Sequence, residues 1–249
     1  KDARQLQKLI LTHLGLSVPL VTTQVVGRDR YIEWVSWMAN VATSVEKLLQ
    51  EIRNLQRSEI AEVGEWFDAE KQVGSSTMAH KRNPITAENA CGLARIVRSF
   101  IVPSYENALL WHERDLANSS AERFTLSHAA ILLDDIMEKC NRVMSKCVVD
   151  TKNMRLNIDR QNGLVMAEKV MIELVDAGIP RDEAHEILRS ASMVSTSENR
   201  HLREICGGIE AITQRFSNDQ LDEMFEPASH IGVSLELVDE AVSAARAQI

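Results

Sequence analysis

The chain has 249 residues, 45% hydrophobic and 26% charged, enough for one large domain or one with a smaller companion. Ten glycines and five prolines leave little room for a many-stranded architecture with many tight turns. A net charge of −8 and 4% aromatic residues argue against a general duplex-binding surface and a base-stacking platform, although a few converging cations can still hold a small anion.

The chain opens without methionine, already inside an amphipathic pattern of Leu6, Leu9, Ile10, His13 and Leu14, as expected of a piece of a longer polypeptide. From 28 to 56, Tyr31, Trp34, Val35, Met38, Val41, Ala42, Val45, Leu48, Leu49, Ile52 and Leu55 form one apolar stripe uninterrupted by Gly or Pro. That predicts a helix of about 28 residues, which needs partner helices from its own chain or from other subunits. After Phe67 the pattern stops, and DAEKQVGSSTMAHKRN, 68–83, reads as a loop. Asn83-Pro84 then predicts an N-cap followed by proline at the first helical position. The helix beyond carries Ile85, Cys91, Leu93, Ile96 and Val97, and Pro103 ends or kinks it.

WHERDLANSSAERF, 111–124, is a second polar interruption, and a long helix resumes through Leu126, Ile131, Leu132, Leu133, Ile136, Met137, Cys140, Val143 and Met144. Asp150 is expected to cap another helix, which runs to the stop signal at Gly178. From Pro180 the segments are shorter and more charged, so a domain boundary is placed there: a central helical bundle over 1–178 and a small helical domain over 179–249. No strand alternation, repeat or low-complexity tract stands out. Cys91, Cys140, Cys147 and Cys206 form no CxxC and have no zinc-ligand spacing, so they are read as core residues in a reducing compartment and no metal is expected. No apolar run approaches the length of a membrane span.

The first interruption has the makings of an anion site. A Gly-Ser-Ser turn exposes hydroxyls, and serine becomes a usable base only where cations or N–H groups stabilise its alkoxide. Lys81 and Arg82 bring positive charge, and the helix opening at Pro84 offers its first free N–H groups to a carboxylate. The same features also describe a solvated loop with a good helix cap.

GSSTMAHKRNP, 74–84, resembles the signature of the fumarase/aspartase superfamily, GSSxMPxKxNP, and departs from it at Ala79, where a proline would stiffen the loop. KRNPITAENACGLAR followed by WHERDLANSSAERF, together with TTQVVGRDR at 22–30 and SVEKLLQEIRNLQRSEIAEV at 44–63, is similar to the adenylosuccinate lyase family in order along the whole chain. The resemblance implies an all-α fold, a long antiparallel helical bundle followed by a small helical C-terminal domain. It implies a homotetramer whose active sites are shared between subunits, a small-molecule nucleotide substrate and a cytoplasmic location, with no cofactor, nucleic acid or membrane. Helices over 28–56 and 84–105 are then expected to bury surface against other chains.

The implied chemistry is β-elimination: splitting of adenylosuccinate into AMP and fumarate, and of the succinylated carboxamide ribotide of purine synthesis. Removing a proton beside a carboxylate creates a dianion, which fixed cations and aimed N–H groups stabilise. Matched to the family, Ser75 is the base, Ser76 its neighbour at the carboxylate, and Lys81 the lysine that meets the succinyl carboxylates. Asn83 is the signature asparagine, Glu88 orients an acidic histidine, and Asn89 contacts ligand. Arg114, Ser119 and Arg123 fit a nucleotide phosphate site, and Gln24 is a further substrate contact. Glu113 and Asp115 are candidates to hold Arg114, and Ser119 with Glu122 also has the spacing of a capping box. His80 and His112 lie within the interruptions, but the family varies at the first, and at the second the neighbouring Arg114 carries the match. The family's acidic histidine has no counterpart, so this stretch alone is expected to show little or no lyase activity. The alternatives are a sibling lyase acting on argininosuccinate or carboxymuconate, and a non-catalytic helical scaffold for oligomerisation.

Overall fold

A computed structural model describes residues 2–67, 82–112 and 114–248. It divides into two compact units, 1–150 and 151–249. In the first, α1 (Ala3–His13) is capped by the Asp2 carboxylate, which accepts from the Arg4 and Gln5 N–H groups at 3.1 Å. This helix buries no side chain. The bundle proper consists of α2 (Asp29–Leu55), α3 (Ile85–Ser99), the short α4 (Ile101–Glu106) and α5 (Ala117–Lys146).

The apolar stripe of α2 folds as its period dictates. Val35, Met38, Ala39, Ala42, Leu49 and Ile52 are buried and meet Leu133, Ile136, Cys140 and Val143 of α5 in one core. Between them α3 presents Ala87, Ala90, Cys91, Ala94 and Val97, a face of small residues that lets helices approach closely. The stripe is wider than this core. Trp34 and Trp37, stacked at 5.0 Å between ring centroids, remain half exposed, as do Leu48 on α2 and Ile85 and Ile96 on α3.

Direction within the bundle follows from contacts at its two ends. Gln56, just past the end of α2, meets Arg82 at the approach to α3, whereas Arg98 near the end of α3 meets Thr43 in the middle of α2, so these helices are antiparallel. Arg28 at the head of α2 pairs with Glu122 near the head of α5. At the far end, β1 (Val63–Gly64) and β2 (Val148–Val149) form a two-residue antiparallel ladder, Val63 opposite Val149. α2 and α5 therefore run in the same direction, with α3 opposed to both. That ladder is the one strand pairing among the described residues, in a chain whose sequence gave no strand signal.

The second unit contains α6 (Thr151–Asp159), α7 (Ala167–Asp176), α8 (Arg181–Glu198), α9 (Leu202–Cys206), α10 (Glu210–Thr213), α11 (Asn218–Met224) and α12 (Ser234–Arg246). The single helix expected between Asp150 and Gly178 is interrupted. Asn162 and Gly163 both have positive φ, and a Cβ on Gly163 would sit 2.5 Å from the His201 ring, so the turn at 160–163 needs glycine there. Val170 and Leu174 of α7 are buried with Leu188, Leu202, Cys206 and Leu221. This shared core lies beyond residue 150, and the expected boundary near 178 falls inside the second unit, at the α7–α8 turn.

Candidate active site

One group of matched residues surrounds the start of α3. The Gln56 side chain bridges two strands of backbone here: its amide donates to the Arg82 carbonyl at 3.2 Å, and its oxygen accepts from the Glu65 N–H at 2.8 Å. Glu65 in turn caps α3, its two carboxylate oxygens accepting from the N–H groups of Thr86 (3.2 Å) and Ala87 (2.5 Å). This corrects two expectations. Pro84 occupies the capping position itself, at φ −76° and ψ 65°, with Ile85 as the first helical residue, so Asn83 is not the N-cap. The N–H groups of Thr86 and Ala87 are also already satisfied by the protein's own carboxylate, so they do not stand open for a substrate. Glu65→Ala should lower stability by about 1–2 kcal/mol through loss of a charged cap. Chemical denaturation measures this, and Glu65→Gln, which keeps one acceptor, should lose less.

Beside this cap lies a cleft of about 940 Å³. Its walls carry Arg53, Arg57 and Arg82 against Glu62, Glu65, Glu88 and Asp150. Glu88 is exposed on the first turn of α3 and reaches the cleft, as does Asn83, whereas Asn89 is exposed at the next position and does not line it. The Arg82 guanidinium lies 5.2 Å from the centroid of the Phe67 ring. Arg53 and Arg57, four apart at the end of α2, were not singled out in the sequence. The signal was their shared helical face in EIRNLQR, which reads equally as ordinary solvated charge. Arg53 donates to Gln50 at 2.6 Å, while its buried Nε has no partner among the described residues. The family-matched Ser75, Ser76 and Lys81, and His80 with them, lie outside the described residues.

The second group surrounds the head of α5. Asp115 is not a clamp for Arg114. Its oxygens accept from the backbone N–H groups of Trp111 at 3.0 Å and Ala117 at 2.8 Å, and these bonds hold its carboxyl below the usual range. Glu113 lies outside the described residues. Nor does the Ser119–Glu122 capping box form. The helix has already begun at Ala117, and Glu122 is turned toward Arg28, accepting its Nε at 2.7 Å and its Nη2 at 3.3 Å. Burial, the largest influence on Glu122, pushes its carboxyl up, but hydrogen bonds from Arg28 and Asn118 outweigh it and leave the carboxyl below its ordinary value. Ser119 and Arg123, four apart, share one face of α5. Arg114, Arg123 and Gln24 are exposed, and neither arginine has an ion pair with a described carboxylate. This group places two guanidiniums, unpaired with any described carboxylate, and a hydroxyl beside a helix start.

The two groups lie at opposite ends of the bundle. Ile85 and Thr86 share a small cleft with Arg142, Val143 and Lys146, at the tail of α5. Arg123 is about 20 residues back along the same helix, or about 30 Å at 1.5 Å per residue. The structure thus gathers Asn83 and Glu88 at one end, and Arg114, Ser119 and Arg123 at the other. Among the described residues, no group of three or more metal-binding side chains occurs and no helix is long and apolar enough to cross a membrane.

Comparison with known proteins finds similarity to lyases along the chain. The family profile described as "Lyase" matches residues 1–98, and that described as "Adenylosuccinate lyase C-terminus" matches residues 163–241. The chain is 43% identical over 242 residues to the adenylosuccinate lyase of Archaeoglobus fulgidus, covering 97% of this chain and 54% of that one. It is 44% identical over 229 residues to that of Methanothermobacter thermautotrophicus, covering 92% and 51%. The chain spans about half the length of the curated relatives it matches. Among solved structures, 3-carboxy-cis,cis-muconate lactonizing enzyme from Pseudomonas putida superposes with a TM-score of 0.84 at 31% identity, covering 97% of this chain and 52% of that one.

Proposed function

We propose that the chain belongs to the adenylosuccinate lyase family, as its similarity to those enzymes supports, and that it contributes the signature loop and the nucleotide-phosphate surface to sites that split adenylosuccinate into AMP and fumarate. The succinylated carboxamide ribotide of purine synthesis is the second substrate, cleaved by the same elimination.

In this reading Ser75, as alkoxide, takes the proton on the carbon beside a succinyl carboxylate. The electron pair left behind is drawn into that carboxylate as an aci-dianion, which Lys81 and a hydroxyl or N–H of Ser76 stabilise. The pair then returns to form the fumarate double bond as the C–N bond breaks, and an acid protonates the departing nitrogen. That acid is a histidine with no counterpart among the matched residues, and Glu88 orients it from the first turn of α3. Asn83 and Asn89 contact the succinyl end, Gln24 the nucleotide, and Arg114, Ser119 and Arg123 the phosphate.

The observation that carries this reading is the separation of the two groups. One substrate cannot touch Glu88 and Arg123 of the same chain across about 30 Å of helix. It can touch Glu88 of one copy and Arg123 of another if copies pack with their bundles opposed. The half-exposed Trp34–Trp37 stack, Leu48, Ile85 and Ile96 offer the apolar surface such an assembly buries, in keeping with a homotetramer. A cytoplasmic location goes with a soluble nucleotide substrate.

The test is release of fumarate from adenylosuccinate by the full-length protein, run beside argininosuccinate and carboxymuconate, with AMP binding measured by calorimetry. Fumarate from adenylosuccinate together with AMP binding is the expected result. Turnover of carboxymuconate without AMP binding would instead favour the activity of the muconate enzyme, whose fold the chain shares. Absence of any ligand would leave the helical scaffold.

A further inference from the structure

We propose that Arg28 and Glu122 are positioning residues for the nucleotide, a fork that fixes the segment carrying Gln24 against the helix face carrying Ser119 and Arg123. The proposal rests on the functional reading above and adds to it two residues that touch no substrate.

The geometry is that of a directional clamp. Arg28 uses Nε and Nη2 on the two oxygens of Glu122, 94 residues away, and its Nη1 donates to the Val26 carbonyl at 2.6 Å. The guanidinium also lies 5.4 Å from the centroid of the Tyr31 ring. The side chains are 14% and 18% exposed, so solvent screens the pair less than a surface bridge. Asn118, one turn earlier and 5% exposed, helps to hold the Glu122 carboxyl below its ordinary value. Each anchor on α5 is followed immediately by an expected ligand contact: Asn118 by Ser119, and Glu122 by Arg123.

The other side of the clamp explains why it is ionic. No side chain between 14 and 27 is buried, so apolar packing does not locate the segment that carries Gln24. The fork ties it to α5, with the Val26 carbonyl bonded to the same guanidinium. Partly buried ion pairs add little net stability, because the cost of desolvation offsets their attraction. A bidentate pair does restrict orientation, which a hydrophobic contact of the same size does not. A nucleotide reaching from Gln24 to the α5 face needs that spacing, whereas a bare phosphate held by Arg114, Ser119 and Arg123 does not.

The experiment uses the full-length protein with Arg28→Lys, Glu122→Gln and the exchanged pair R28E/E122R. Lysine keeps the charge and loses the fork, and glutamine keeps the shape and loses the charge. The expected result is a rise of about tenfold in the Kd for AMP and in KM for adenylosuccinate in both single variants. The Kd for inorganic phosphate and kcat should change little. The exchanged pair should recover part of the AMP affinity that Glu122→Arg alone loses. Equal weakening of AMP and phosphate, or a lowered Tm with unchanged AMP affinity, overturns the proposal in favour of a purely structural bridge. If the parent binds AMP and the variants bind it equally well, this inference fails alone. If the parent does not bind AMP, the functional reading fails with it.

Discussion

Full-length protein carrying Arg123→Ala should bind AMP roughly 10- to 150-fold more weakly than its parent, with little change in stability. The size follows from the 1.5–3 kcal/mol typical of a hydrogen bond to a charged group. The split between binding and stability follows from the environment. Arg123 is exposed on α5, and no described carboxylate pairs with it, so the folded chain makes little use of its charge. Exposed substitutions of this kind stay within about 0.5 kcal/mol of the parent. Arg114 is exposed in the same way, and its neighbour Asp115 is committed to the Trp111 and Ala117 backbone, so Arg114→Ala should behave alike. Lysine at either position should restore part of the affinity, because it keeps the charge but cannot bind phosphate through a planar fork. Calorimetric titration with AMP decides the matter, and unchanged affinity in both variants would remove these residues from the phosphate site.

What could be read from the sequence, and what could not, divides along the range of the interaction. The stripe over 28–56 became α2 almost to the residue, because apolar spacing without Gly or Pro is a local signal. The helix cap at Asn83-Pro84 failed for the opposite reason. Glu65, some twenty residues earlier, supplies the carboxylate, and nothing in NPITAE announces it. Ser119 and Glu122 have the spacing of a capping box, yet Arg28 recruits Glu122 from a distant part of the chain and Asp115 takes over the helix start. The boundary was hidden because helical composition continues across residue 150, while the break at 160–163 was announced by Asn162-Gly163 and passed over. At the site, the resemblance to the lyase family named the residues of both groups. Their placement at opposite ends of one bundle could not be read, since periodicity identifies a helix face but not the direction in which the helix is laid down.

That placement leads to the prediction with the largest effect. In the full-length protein, Ser75→Ala removes the proposed base and Arg123→Ala removes a phosphate contact, so each variant alone should be far less active than its parent. Asn83 and Glu88, close to Ser75 in sequence, sit at the α3 head, and Arg123 sits about 30 Å away along α5. No hinge within a continuous 30-residue helix can bring those ends together. In the proposed function Ser75 serves the site lined by Asn83 and Glu88, so that site takes its residue 123 from a different copy. When the two variants are unfolded together, mixed in equal amounts and reassembled, about one quarter of sites should receive a native residue from both contributors, the product of two independent halves. Activity should rise from near zero to about a quarter of the parent's, and the regained sites should show the parent's KM. The unmixed variants, carried through the same cycle, should regain nothing. A reassembled mixture no more active than its parts would mean that both residues serve a site within one chain, and the two ends of the bundle could not then belong to the same active site.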